Sequence, residues 1–124
     1  MRQYDDLDTR LKEISQDVVD AYRDIYRDNL VYVILYGSYS RGDFTDESDI
    51  DYIGIVDADA DEVQINSRLR SLWRLTGEID LNREIVISAM TSSYDVYDRA
   101  DSLYIQNVRK DGIKVYDRKN ILPR

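Results

Sequence analysis

The chain contains no histidine and no cysteine. Without histidine there is no Ser-His or Cys-His nucleophile, no histidine zinc site and no imidazole general base. Without cysteine there is no disulfide framework and no thiolate chemistry. Glycine is scarce at five residues and proline occurs once, so low-complexity or linker-like stretches are absent. No apolar run approaches the roughly 20 residues that span a bilayer. The first ten residues, MRQYDDLDTR, lack the apolar stretch of a signal peptide, and a cytoplasmic location is expected.

Positive charge is also in short supply, at 17 basic against 25 acidic residues and a net charge of −8. Such a surface repels a nucleic-acid backbone, so direct nucleic-acid binding is not expected. It suits a basic partner or a site for divalent cations, and it serves solubility equally well. At 124 residues and 43% hydrophobic content, one globular domain spanning residues 1–124 is expected.

Apolar residues at steps of three and four, from Leu7 through Leu11, Ile14, Val18 and Tyr22 to Ile25, predict an amphipathic helix over residues 5–27. Residues 30–36, LVYVILY, form a continuous β-branched and aromatic run, the pattern of a strand covered on both faces. A second strand is predicted over 49–56. A helix is predicted over 59–75, with acids in its first turn and Gly77 as its stop. Residues 83–90, REIVISAM, read as a third strand. Ser92 or Ser93 can cap a short turn, a helix follows over 101–110 to Gly112, and IKVYD is extended. The order of elements defines an α/β domain with a small mixed sheet and flanking helices.

Between the first two strands lies GSYSRGDFTDESDID, residues 37–51. On a strand, Asp49 and Asp51 share one face with their roots about 7 Å apart. Two carboxylates so placed can converge on divalent ions held about 3.5–4 Å apart. Oxygen-only ligation favours Mg²⁺ or Mn²⁺ over zinc. A pair of aspartates that only solvates a turn is the alternative. Ahead of them, a strand ending in Gly37-Ser38 and opening a short helix exposes backbone N–H groups suited to phosphate. The stretch is not a P-loop, since Asp43-Phe44 stands where Lys-Ser or Lys-Thr is required. The DADADE tract is not a calcium loop, because Glu62 and Arg68 stand where that loop needs glycine and glutamate.

Phosphate cradle, ten residues, then paired aspartates resembles the G-S-x10-D-x-D signature of the DNA polymerase β-like nucleotidyltransferases, in their minimal nucleotidyltransferase (MNT) branch. The order of elements and the closing segment LYIQNVRKDGIKVY resemble that branch too. The resemblance implies that Gly37 and Ser38 hold the β- and γ-phosphates of ATP, the substrate, and that Asp49 and Asp51 hold Mg²⁺, two ions being expected. It implies a third metal-binding and catalytic carboxylate on a strand antiparallel to the second, a role assigned to Glu84 with Asp80 in reserve. Arg41 either touches phosphate or pairs with Asp43 or Glu47 at the surface. Proteins of this branch resemble antitoxins that transfer AMP to a tyrosine of a HEPN-domain ribonuclease toxin, so such a toxin is the implied partner. Inhibition by binding alone, or nucleotidyl transfer to a small molecule, are the alternative functions. The eleven tyrosines and Trp73 are expected to be mostly core or half-buried.

Overall fold

The structure, a computed structural model, describes residues 2–57, 62–100 and 102–120, with 62–66 described as backbone. The start of the helix expected from residue 59 lies outside the described residues. So does the rest of the DADADE tract between residues 58 and 61. No helix among the described residues is long and apolar enough to cross a membrane.

α1 spans Thr9–Tyr26, and Asp8 sets its start by accepting the Leu11 N–H at 2.8 Å. The helical pattern before it resolves into a 3₁₀ turn, Tyr4–Asp6, followed by extended Leu7. β1 (Leu30–Tyr36) leads through the short α2 (Ser38–Arg41) to β2 (Ile50–Val56). α3 (Glu62–Arg83) crosses to β3 (Ile87–Ser93), and α4 (Tyr94–Arg99), α5 (Leu103–Asp111) and β4 (Ile113–Asp117) complete the chain. Ser93 caps α4 and Ser102 caps α5 through their side chains.

The sheet is mixed, in the order β3-β2-β1-β4. β1 is antiparallel to both β2 and β4, whereas β3 runs parallel to β2 and not antiparallel to it. β1 has neighbours on both edges and layers on both faces, which is why its whole sequence is apolar. Val33 and Leu35 pack with α1 and α3, around Ile14, Val18, Tyr22 and Leu72. Tyr32 and Ile34 pack with Ile53 and Ile55 of β2 and Ile105 and Val108 of α5. The buried hydroxyl of Tyr52 is matched by Ser15 at 2.7 Å.

α3 departs from expectation. It runs through Gly77 to Arg83, because Ile79, packed against the core, carries the stripe of Leu69, Leu72 and Thr76 past the glycine. A helical glycine costs only about 1 kcal/mol, less than the burial gained. The left-handed residue that stops the helix is Glu84 (φ 56°), after which the Ile85 N–H returns to the Asp80 carbonyl at 3.2 Å. β3 is displaced accordingly, to 87–93 from the expected 83–90.

Two glycines should answer oppositely to alanine. A Cβ at Gly54 would overlap the ring of fully buried Tyr22, whereas one at Gly77 meets nothing within 4 Å. Gly54→Ala should lose about 1–3 kcal/mol of unfolding free energy. Gly77→Ala should gain roughly 0.5–1 kcal/mol. Urea titration of both variants checks the signs, and a loss at Gly77 would contradict the continuous α3.

Candidate active site

Gly37 joins β1 to α2 with φ 76° and ψ −153°, a conformation essentially confined to glycine. Its carbonyl accepts the N–H groups of Ser40 and Arg41 and, at 2.8 Å, the Ser40 hydroxyl. The N–H groups of Ser38 and Tyr39, in the opening turn of α2, have no partner within that helix. Gly42 (φ 86°) closes the turn, with its N–H on the Ser38 carbonyl at 2.8 Å. Arg2 clamps the far end of α2 by donating to the Tyr39 carbonyl at 3.0 Å and the Ser40 carbonyl at 3.4 Å. Tyr39 and Phe44 stack beside it, nearly parallel at 4.2 Å between ring centres.

Asp51 lies on β2 directly opposite Tyr36 of β1 on one side and Ser88 of β3 on the other. Alternation sends Ile50 and Tyr52 to the α1/α3 face, so Asp51 faces the opposite side of the sheet. Its Oδ2 sits 2.5 Å from the point a Cβ on Gly37 would occupy. The carboxylate and the glycine backbone are therefore in contact, and glycine is required for space as well as for conformation.

The acids form a chain of mutual influence. Burial raises the Asp51 carboxyl above the usual carboxylate range, Asp49 raises it further, and Arg41 opposes both. Burial likewise raises Asp80, which the Ile87 N–H, bonded to its Oδ1 at 2.9 Å, partly offsets; Asp49 then adds to the rise. Arg41, besides acting on Asp51, is paired with Asp43 at 3.2 Å, the surface pairing weighed for it from sequence. Glu84 is placed elsewhere. It is exposed in the turn after α3 and not on β3, and it is not among the groups acting on Asp51 or Asp80. Sequence reasoning placed it on a strand because the left-handed stop was not visible in the residue types.

Among the described residues no three acidic side chains stand close enough to hold a metal ion by themselves. Asp49 and Asp51 nonetheless fit a hard divalent cation. They are an oxygen-only pair, one member of which is raised by burial and by the other's charge, as expected of acids lacking sufficient countercharge.

Two further features border the carboxylates. Tyr104 of α5 donates its hydroxyl to that of Tyr36 at 2.8 Å, and burial raises both phenols, with Asp51 adding to each. On the β3 side, a cavity of about 370 Å³ is lined by Asp49, Trp73, Asp80, Val86, Ser88 and Met90, among others. Trp73 is 48% exposed and not in the core as its helical position suggested. Its Nε1–H donates to the Ala89 carbonyl at 2.7 Å, on the flank of β3.

A mixed four-stranded sheet carrying a Gly-Ser turn after β1 and two spaced aspartates at the head of β2 defines a nucleotidyltransferase fold. The Polymerase beta, Nucleotidyltransferase family matches residues 25–121, and the chain belongs to that family. A Methanocaldococcus jannaschii protein named "Putative protein adenylyltransferase" is 31% identical over 102 residues, 82% of this chain and 93% of its own. Two solved structures share the fold. One, described as a toxin-antitoxin with AMP-PNP, has a TM-score of 0.58 at 19% identity, over 85% of this chain and 74% of that one. In the other, a tri-AMPylated Shewanella oneidensis HEPN toxin in complex with MNT antitoxin, the TM-score is 0.53 at 17% identity, over 87% and 73%.

The contact between Gly37 and Asp51 can be tested by a double-mutant cycle. Gly37→Ala should lose about 1–3 kcal/mol through backbone strain and collision. In Gly37→Ala/Asp51→Ala the loss should be smaller than the sum of the single losses, because the collision is gone while the strain remains. Additive losses in chemical denaturation would mean that the two residues do not touch.

Proposed function

We propose that this protein is a Mg²⁺-dependent adenylyltransferase that moves AMP from ATP to a tyrosine hydroxyl of a HEPN ribonuclease, for which it serves as antitoxin. The observation that carries the reading is the contact of the Asp51 carboxylate with the Gly37 turn, beside Asp49. On this reading a cation-binding pair stands against a backbone phosphate cradle. The chemical name of the relative from M. jannaschii supports the reaction class, and the toxin–antitoxin complexes that share the fold support the partner.

In this reading Gly37 and Ser38 hold the β- and γ-phosphates through backbone N–H groups, with Arg41 nearby. Asp49 and Asp51 hold the metal; two ions, or Mn²⁺ in place of Mg²⁺, suit the same oxygens. When bound, the metal offsets phosphate charge and lowers the pKa of the acceptor hydroxyl. The tyrosine oxygen forms a bond to the α-phosphorus while the bond from that phosphorus to the bridging oxygen of pyrophosphate breaks. Asp80 takes the phenolic proton. We assign that role to Asp80 in place of Glu84, because Asp80 is the third carboxylate within electrostatic reach of Asp49. Its raised affinity for protons suits a base. AMP on the toxin adds a bulky anion where RNA phosphate must bind, and repulsion excludes the substrate.

Incubation of a HEPN ribonuclease partner with this protein, ATP and Mg²⁺ should raise the partner's mass by whole AMP units and leave it inactive after separation. Asp49→Asn/Asp51→Asn should cut transfer by about 10²-fold or more. Inhibition that survives in that variant and disappears on separation would establish blockade by binding instead.

The two candidate bases separate in the same assay. Asp80→Asn should lower transfer about 10²-fold with ATP affinity little changed, and Glu84→Gln should leave the rate within a few-fold. The reverse pattern would return the role to Glu84.

A further inference from the structure

The cleft beside β3 has a direction that the reaction can use. The row Tyr36, Asp51, Ser88 crosses three adjacent strands, which stand about 4.8 Å apart. The Gly37-Ser38 turn lies at the β1 end of this row, with the carboxylates in the middle. On the reading proposed above, pyrophosphate leaves toward the turn. In-line displacement places the attacking and leaving oxygens on opposite sides of the phosphorus. The attacking oxygen therefore arrives from the β3 side, where the cavity of about 370 Å³ opens.

Part of that cavity's lining is apolar. Trp73, Val86 and Met90 are 48%, 56% and 40% exposed, three large apolar side chains around one opening. The indole is fixed by its bond to the Ala89 carbonyl, so the aromatic wall is preformed. Asp49, which is exposed, and half-buried Asp80 line the same cavity. Apolar walls beside carboxylates match a ligand that is apolar along its length and carries a hydroxyl at its tip. Indole and thioether are also good neighbours for an aromatic ring. β3 is an edge strand, so a large partner can reach the cleft without disturbing the sheet.

We infer that this cleft is the acceptor site, which takes a single tyrosine side chain from a protein partner between Trp73 and Met90 and delivers its hydroxyl to Asp49 and Asp80. The inference rests on the proposed transferase reading for the identity of the acceptor and for the side from which it attacks. Trp73, Val86 and Met90 are then specificity-determining residues: they favour an aromatic hydroxyl over serine or threonine, whose side chains offer these walls too little apolar surface.

Trp73 is the single tryptophan of the chain, so it reports directly on occupancy. The probe is N-acetyl-3-nitrotyrosinamide, which absorbs indole emission. Saturable quenching is expected, weakened about tenfold in Val86→Ser/Met90→Gln, whose side chains are exposed and whose folding is verified by circular dichroism. With ATP, Mg²⁺ and a random lysine–tyrosine copolymer as acceptor, the same variant should raise the KM for copolymer about tenfold while the affinity for ATP is unchanged. Quenching that stays linear in probe concentration, or that is equal in wild type and variant, would overturn the acceptor site. Calorimetry with ATP and Mg²⁺ separates this from the wider reading. Absence of ATP binding alongside saturable, variant-sensitive quenching would refute the transferase and retain an aromatic-binding cleft. Tight ATP binding with unaltered acceptor KM would do the opposite.

Discussion

The structure depends on the approach of one carboxylate to one glycine. β1 is held on both edges and both faces, so its end point is fixed, and Gly37 leaves it in a conformation other residues avoid. That turn brings α2 across the sheet, and the missing side chain leaves the space that Asp51 fills. Neither half of the arrangement can move alone. The glycine needs the strand to aim it, and the aspartate needs the register of β2 against β1 to meet it.

The acids around this contact are held against their own preference. Burial and mutual repulsion favour the protonated form of Asp51, and the same two forces act on Asp80. Since the folded state binds these protons more tightly than the unfolded chain, ionisation of either group detracts from stability as pH rises through the carboxylate range. Any cation that binds the pair offsets this loss. The remaining surroundings are ordered to hold the acids in place: Arg2 on the end of α2, the Ile87 N–H on Asp80, and Tyr36 braced by Tyr104.

Much of this was legible in the residues. The unbroken apolar run of β1, the glycine at its end and the spaced aspartates at the head of β2 each carry a local signal, and local signals survive into the fold. Two kinds of feature do not. The stop of α3 depended on packing: Gly77 looked like a terminator, but the stripe through Leu72, Thr76 and Ile79 held the helix together until Glu84 took the left-handed position. That shift moved Glu84 off the strand and left Asp80 near Asp49. Trp73 was equally opaque, because helical spacing tells which face a residue occupies but not whether the sheet beneath extends far enough to cover it.

Trp73 has one more consequence. β3 ends the sheet, and an uncovered strand edge invites pairing with a stray chain, the first step of many aggregates. By donating to the Ala89 carbonyl, the indole takes up one acceptor beside β3, and its bulk obstructs a strand approaching that side. A side chain at the rim of the cavity thus also hinders edge-to-edge pairing at β3.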